Sequence, residues 1–223
     1  VRTFGTIVLV LMLLLGGSFA LYKVNYPTYT YRFRLSIAVD VGGETKTAAS
    51  VIEVEAVMRP MPIIFSPVNS YVHGDAVFLD LGDRRDIVVL LACNPDGTQD
   101  CIPTLVPNEF GITELKNLAE LETLRGSREL TGRFMPTLVT FRDLNDENSV
   151  RMVRSDQFEE IFGPDVHFKR VWIEMTDDAV TRSIEKKLLW WDNPRPWLKQ
   201  NQFGGYVDTR TGFHVSKSQL KKG

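Results

Sequence analysis

The stretch Tyr29-Thr-Tyr-Arg-Phe-Arg-Leu-Ser-Ile-Ala-Val-Asp-Val41, followed by Gly42-Gly43 and then by Glu44 to Met58, decides the fold. Apolar and polar residues alternate through it. That is the period of a strand with one buried face. Gly-Gly supplies the two positive-φ positions of a tight hairpin turn. With the glycines at the tip, Phe33 faces Ile52, Tyr31 faces Val54, Tyr29 faces Ala56 and Ile37 faces Ala48, all on the apolar side. On the other side Arg32 meets Glu53, an opposite-charge pair. Turn and register agree, so an antiparallel hairpin is expected.

Outward from the hairpin, Arg59-Pro60-Met61-Pro62 ends the second strand, and residues 76–81 and 87–93 read as further short strands. Leucines at 115, 118, 121 and 124 mark 112–125 as a helix, with Gly126 placed to stop it. Residues 137–141 and 166–175 read as strands. Ser155 caps a short helix with an acidic first turn, ended by Gly163-Pro164. Thr176-Asp177-Asp178 reads as the start of another, with Val180, Ile184 and Leu188 on one face. The expected class is α+β, a mainly antiparallel sheet with short helices, preceded by one N-terminal transmembrane or signal helix. The domain is expected over 28–191, after an N-terminal segment 1–23 and before a C-terminal tail 192–223.

The chain has 223 residues, 43% of them apolar and 24% charged, the balance of a globular protein. A formal net charge of −2 gives no bulk reason to bind nucleic acid. Arg2 precedes twenty uncharged residues, 3–22, and then comes Lys23. Twenty helical residues span about 30 Å, the thickness of a bilayer's hydrocarbon core. Two readings stand: an uncleaved inner-membrane anchor over residues 3–22, or a signal peptide cut after Ser18-Phe19-Ala20. Either sends the domain into the periplasm, in the second case as a soluble protein.

Cys93 and Cys101 flank Asn94-Pro95-Asp96-Gly97, which is strong turn chemistry. In an oxidising compartment a disulfide between them is expected, contributing about 2–3 kcal/mol. The tail carries six basic residues against two acidic ones, net +4, and leaves −6 on the rest. Trp190, Trp191 and Trp197, with Arg195 among them, form a possible interaction region. Alternatively, the tryptophans close the edge of a core.

There is no Gly-x-Ser-x-Gly elbow, His-Glu-x-x-His helix, phosphate loop or dinucleotide fingerprint in the sequence. No catalytic residue, cofactor or metal ligand set is assigned. His73-Gly74-Asp75 offers a histidine beside a carboxylate, the germ of an oriented base, although Gly-Asp at the mouth of a strand is also ordinary turn chemistry. Residues 143–148 alternate oxygen ligands but depart from a calcium loop at Asn148 and Arg154.

Pro136-Thr-Leu-Val-Thr-Phe-Arg-Asp143, residues 158–163, and the run from Ile173-Glu-Met-Thr-Asp-Asp to Leu188 resemble a segment of small exported or membrane-anchored proteobacterial proteins of unknown function. The resemblance covers about residues 136–191. It implies a bacterial envelope location and carries no activity, cofactor or site residue. The expected function is therefore that of a membrane-anchored envelope protein whose periplasmic domain binds a protein partner without catalysis. The alternatives are a soluble periplasmic hydrolase centred on His73 and Asp75, and a periplasmic small-ligand binder.

Overall fold

The computed structural model describes residues 2–60, 66–83, 85–93, 99–193, 198–200, 206–208 and 213–223, with the backbone alone at 2, 3, 5–10, 198–200 and 206–208. Helix α1 (Arg2–Asn25) leads into strands β1 (Thr28–Val41) and β2 (Glu44–Met58). Their pairing is the expected one, with Phe33 opposite Ile52, Tyr31 opposite Val54, Ile37 opposite Ala48 and Arg32 opposite Glu53. Gly42 and Gly43 turn the chain at φ 61° and 87°, and the Asp40 carboxylate accepts the Gly43 N–H at 2.8 Å. That bond, ahead of the nearby Lys169 ammonium, holds the Asp40 carboxyl below its usual range.

The chain continues through β3 (Val68–Asp75), β4 (Val77–Gly82), β5 (Arg85–Cys93), α2 (Ile102–Glu109), β6 (Ser127–Glu129), β7 (Pro136–Phe141), β8 (Val150–Val153), α3 (Phe158–Phe162) and β9 (Val166–Met175). After β10 (Leu198–Gln200) and β11 (Tyr206–Asp208) it closes with α4 (Lys217–Leu220) and β12 (Lys221–Lys222). One sheet has six strands in the order β12-β3-β2-β1-β9-β6. A second has four in the order β4-β5-β7-β8, and β10 pairs β11 in a ribbon. All the pairings among the described residues are antiparallel. The molecule is α+β, two antiparallel sheets with short helices.

A single core joins the two sheets. Phe33, Ile37, Ile52, Val171 and Ile173 come from the first, and Leu79, Ile87, Leu90 and Leu138 from the second, all buried. β5 is buried almost end to end, so it reads as a continuous apolar run rather than an alternation.

Two expected helices take other forms. Over 112–125 the chain folds as a 3₁₀ helix, Leu115–Glu122. Leucines three apart eclipse one another at three residues per turn, so Leu118 and Leu121 bury together where an α-helix would splay them. From Thr176 the chain stays irregular except for a 3₁₀ turn, Ile184–Lys186. Its backbone donors are used elsewhere. The Thr181 N–H reaches the Val51 carbonyl at 3.1 Å, and the Asp75 carboxylate takes the N–H groups of Ser183 and Ile184.

Strands β3, β6 and β8 were not expected, nor were β10, β11 and β12 in the segment read as a tail. β3 is polar, and β6 and β8 are short edge strands. His73-Gly74-Asp75 therefore lies inside β3 rather than at a turn. Gly74, at φ 139°, passes so close to β2 that a Cβ would sit 3.0 Å from the Val51 carbonyl oxygen.

The described end of the chain returns to the domain. β12 pairs with β3, Lys221 opposite Asp75, and Val215 and Leu220 are buried in the common core. At the other terminus α1 leaves Leu11, Met12, Leu13, Leu14, Leu15, Phe19 and Leu21 exposed. Among the described residues no helix is long and apolar enough to cross a membrane.

Candidate functional site: an edge-strand groove and a histidine cluster

β8 is the edge of the four-stranded sheet, hydrogen-bonded to β7 with Leu138 opposite Val153 and Val139 opposite Met152. Beside it runs a groove of about 820 Å³. Its apolar lining comes from Met135, Pro136, Leu138, Met152 and Val153, buried or half-buried, and its exposed polar lining includes Gln99, Arg133, Arg154 and Asp156. Arg154 and Asp156 form an ion pair, which raises the guanidinium's already high affinity for its proton and lowers the Asp156 carboxyl. The groove thus joins an apolar floor to a strand edge and a polar margin. An extended polypeptide suits such a place, and so does a small apolar molecule.

The disulfide Cys93–Cys101, Cα–Cα 5.6 Å, secures one end of this groove. Cys93 lies opposite Pro136 on β7, and its N–H bonds the carbonyl of Gln99, a groove residue, at 2.9 Å. The turn expected at Asn94-Pro95-Asp96-Gly97 lies outside the described residues.

The proposed interaction residues divide. Trp190 is 1% exposed and packs in the core against Phe141, ring centroids 6.0 Å apart. Trp191 stacks on Trp190 at 5.9 Å and takes the Lys217 ammonium 4.8 Å above its ring. The described pair therefore closes a core edge. Trp197 and Arg195 lie outside the described residues.

His73 and Asp75 do not form a dyad. The Asp75 residue is 1% exposed, its Oδ2 accepts from Ser183 and Ile184, and its Oδ1 has no hydrogen-bond partner among the described residues. His73 meets β2 instead, its Nε2 3.9 Å from Glu55 Oε1. It stands directly opposite Glu53, so one imidazole and two carboxylates share a patch of the β2–β3 surface. His167 pairs with Glu159 at 2.9 Å on the surface, and His214 borders a hollow of about 630 Å³. In the acidic turn, Asp143 and Asp146 each accept from the second residue onward, Asn145 and Asn148, so their Oδ1 atoms serve the turn itself.

Sequence reading missed both the groove and the cluster. The groove needs β7, β8 and the Gln99 loop together, and β8 offers only four residues of pattern. For the cluster a signal existed: the hairpin register places Glu53 and Glu55 on one face. Their partner strand was too polar to recognise. Comparison of the chain with protein-family models, curated proteins and solved structures finds no match.

Proposed function

We propose that this is a membrane-anchored protein of the bacterial envelope whose periplasmic domain binds an extended segment of a protein partner along β8. The observation that carries the reading is the outer edge of β8, unpaired among the described residues and lying beside the apolar groove. A visiting strand gains main-chain hydrogen bonds from such an edge, and side chains pointing to one face fill the groove. Residues 3–22 are uncharged, and the described apolar side chains of α1 are exposed, which supports insertion of this helix into the inner membrane. The disulfide suits an oxidising compartment. If α1 is cleaved, the same domain works as a soluble periplasmic binder.

The test places a photocrosslinking residue at Arg151, exposed on β8, and a control at Arg128, exposed on β6, in the native cell. A discrete polypeptide adduct at 151, absent at 128, with the protein in the membrane fraction, is the expected result. A cytosolic protein, or no polypeptide adduct at 151, overturns it. A second reading, a small apolar ligand, is favoured by the groove's volume, which falls within the ordinary range of ligand pockets. Native mass spectrometry of the purified protein would then show a bound small molecule in place of the adduct.

A further inference from the structure

The β2–β3 surface carries a group of side chains that the binding role leaves unused. It lies in the six-stranded sheet, whereas the groove belongs to the four-stranded one, and the two inferences stand independently. Glu53 and Glu55 are two residues apart on β2 and therefore point to the same face. His73 is opposite Glu53 and diagonal to Glu55. One ligand atom from each of the three lies within 4.8 Å of the others, and all three residues are half-buried.

From this juxtaposition we infer that Glu53, Glu55 and His73 form a binding site for a divalent first-row transition ion, zinc foremost. Each component contributes a reason. Both contacts from Arg32 fall on Glu53 Oε2, which leaves the other oxygen to ligate. Glu55 Oε1 faces the His73 imidazole, 3.9 Å from its Nε2. Two carboxylates and one guanidinium sum to −1, a charge that a divalent cation reverses rather than compounds.

The imidazole is also oriented. The backbone of Gly223 lies against its other nitrogen, so close that a Cβ on residue 223 would stand 2.0 Å from Nδ1. Gly223 is itself held by Arg182, which donates to its carbonyl at 3.1 Å. Nε2 is thereby left as the nitrogen that faces the carboxylates. One nitrogen and two oxygens match zinc and its neighbours better than calcium or magnesium, which prefer oxygen alone. Tetrahedral ligands stand about 3.4 Å apart around zinc. The 3.9 Å between His73 Nε2 and Glu55 Oε1 closes to that with a small side-chain movement. Three protein ligands leave a fourth position open to water.

Cobalt(II) makes the site visible. The full chain, free of any affinity tag, is titrated with Co(II) and then with Zn(II), while the d–d absorption band and the melting temperature are followed. One equivalent of Co(II), displaced by Zn(II), is expected, with a rise in melting temperature. His73→Gln and Glu55→Gln should each weaken binding at least about tenfold and abolish that rise. His167→Gln, at the surface His–Glu pair, should leave binding unchanged. Circular dichroism checks that each variant is folded, and Glu55→Gln keeps the side chain's shape. A chain that develops no Co(II) band, or a band that persists in folded His73→Gln, overturns the inference.

Discussion

Burial pushes the Asp86 carboxyl up to about 6, against the Phe141 N–H that it accepts at 3.2 Å and with Asp80 across the strand pair adding to the rise. The folded protein therefore binds this proton more tightly than the unfolded chain, whose Asp titrates near 3.8. The group favours the fold at low pH, and that contribution is lost as pH rises from about 4 to 6. At about 1.4 kcal/mol per unit, the loss is of order 3 kcal/mol. Asp86→Asn keeps the acceptor for Phe141 and has no charge to bury. Urea denaturation at pH 4.5 and 7.5 should show a flatter dependence for the variant and a more stable protein at the higher pH. Equal slopes would refute the account. Asp75 is the contrasting case, a buried carboxylate spent on two backbone donors of a loop 108 residues away. Nothing beside it in the sequence announces that partner. His73 shows the same limit, because its neighbours in space, Glu53 and Glu55, come from the preceding strand.

At the scale of elements, hairpin and leucine stripe make opposite points. The hairpin was legible because two local signals, a Gly-Gly turn and alternation on both sides, fix one register. The stripe was half legible. Its three-residue spacing names a 3₁₀ helix once Leu118 and Leu121 have a core to meet. β3 and β8 escaped notice because one is polar and the other short, and pairing with a neighbour is what makes each a strand. The disulfide belongs to this scale as well, since it ties the end of β5 to the start of α2. Closing so short a loop contributes about 2.5 kcal/mol. Reductant should lower the wild-type urea midpoint accordingly and leave a Cys93→Ala/Cys101→Ala double variant unmoved. A wild-type midpoint indifferent to reductant would mean that the bond is not formed.

Across the whole molecule, the end of the chain completes what the start begins. β12 lies on β3, α4 packs on β5, and Lys221–Glu185 and Lys222–Asp100 ion pairs, at 2.6 and 2.7 Å, pin the segment. Removing residues 213–223 would withdraw Val215 and Leu220 from the core and bare the β3 edge. At about 1.5–3 kcal/mol for each buried aliphatic side chain, the truncated protein should be about 3–6 kcal/mol less stable in urea. An unchanged midpoint would show that the segment does not dock. The sequence by itself determined the β1–β2 hairpin and its register, the cysteine pair and the α+β class, because each follows from residues near one another in the chain. Only the tertiary structure decided the groove at β8, the meeting of His73 with two glutamates, and the return of the C-terminal segment. Each of those depends on which strands become neighbours, and that is set by burial of a shared core rather than by any local pattern.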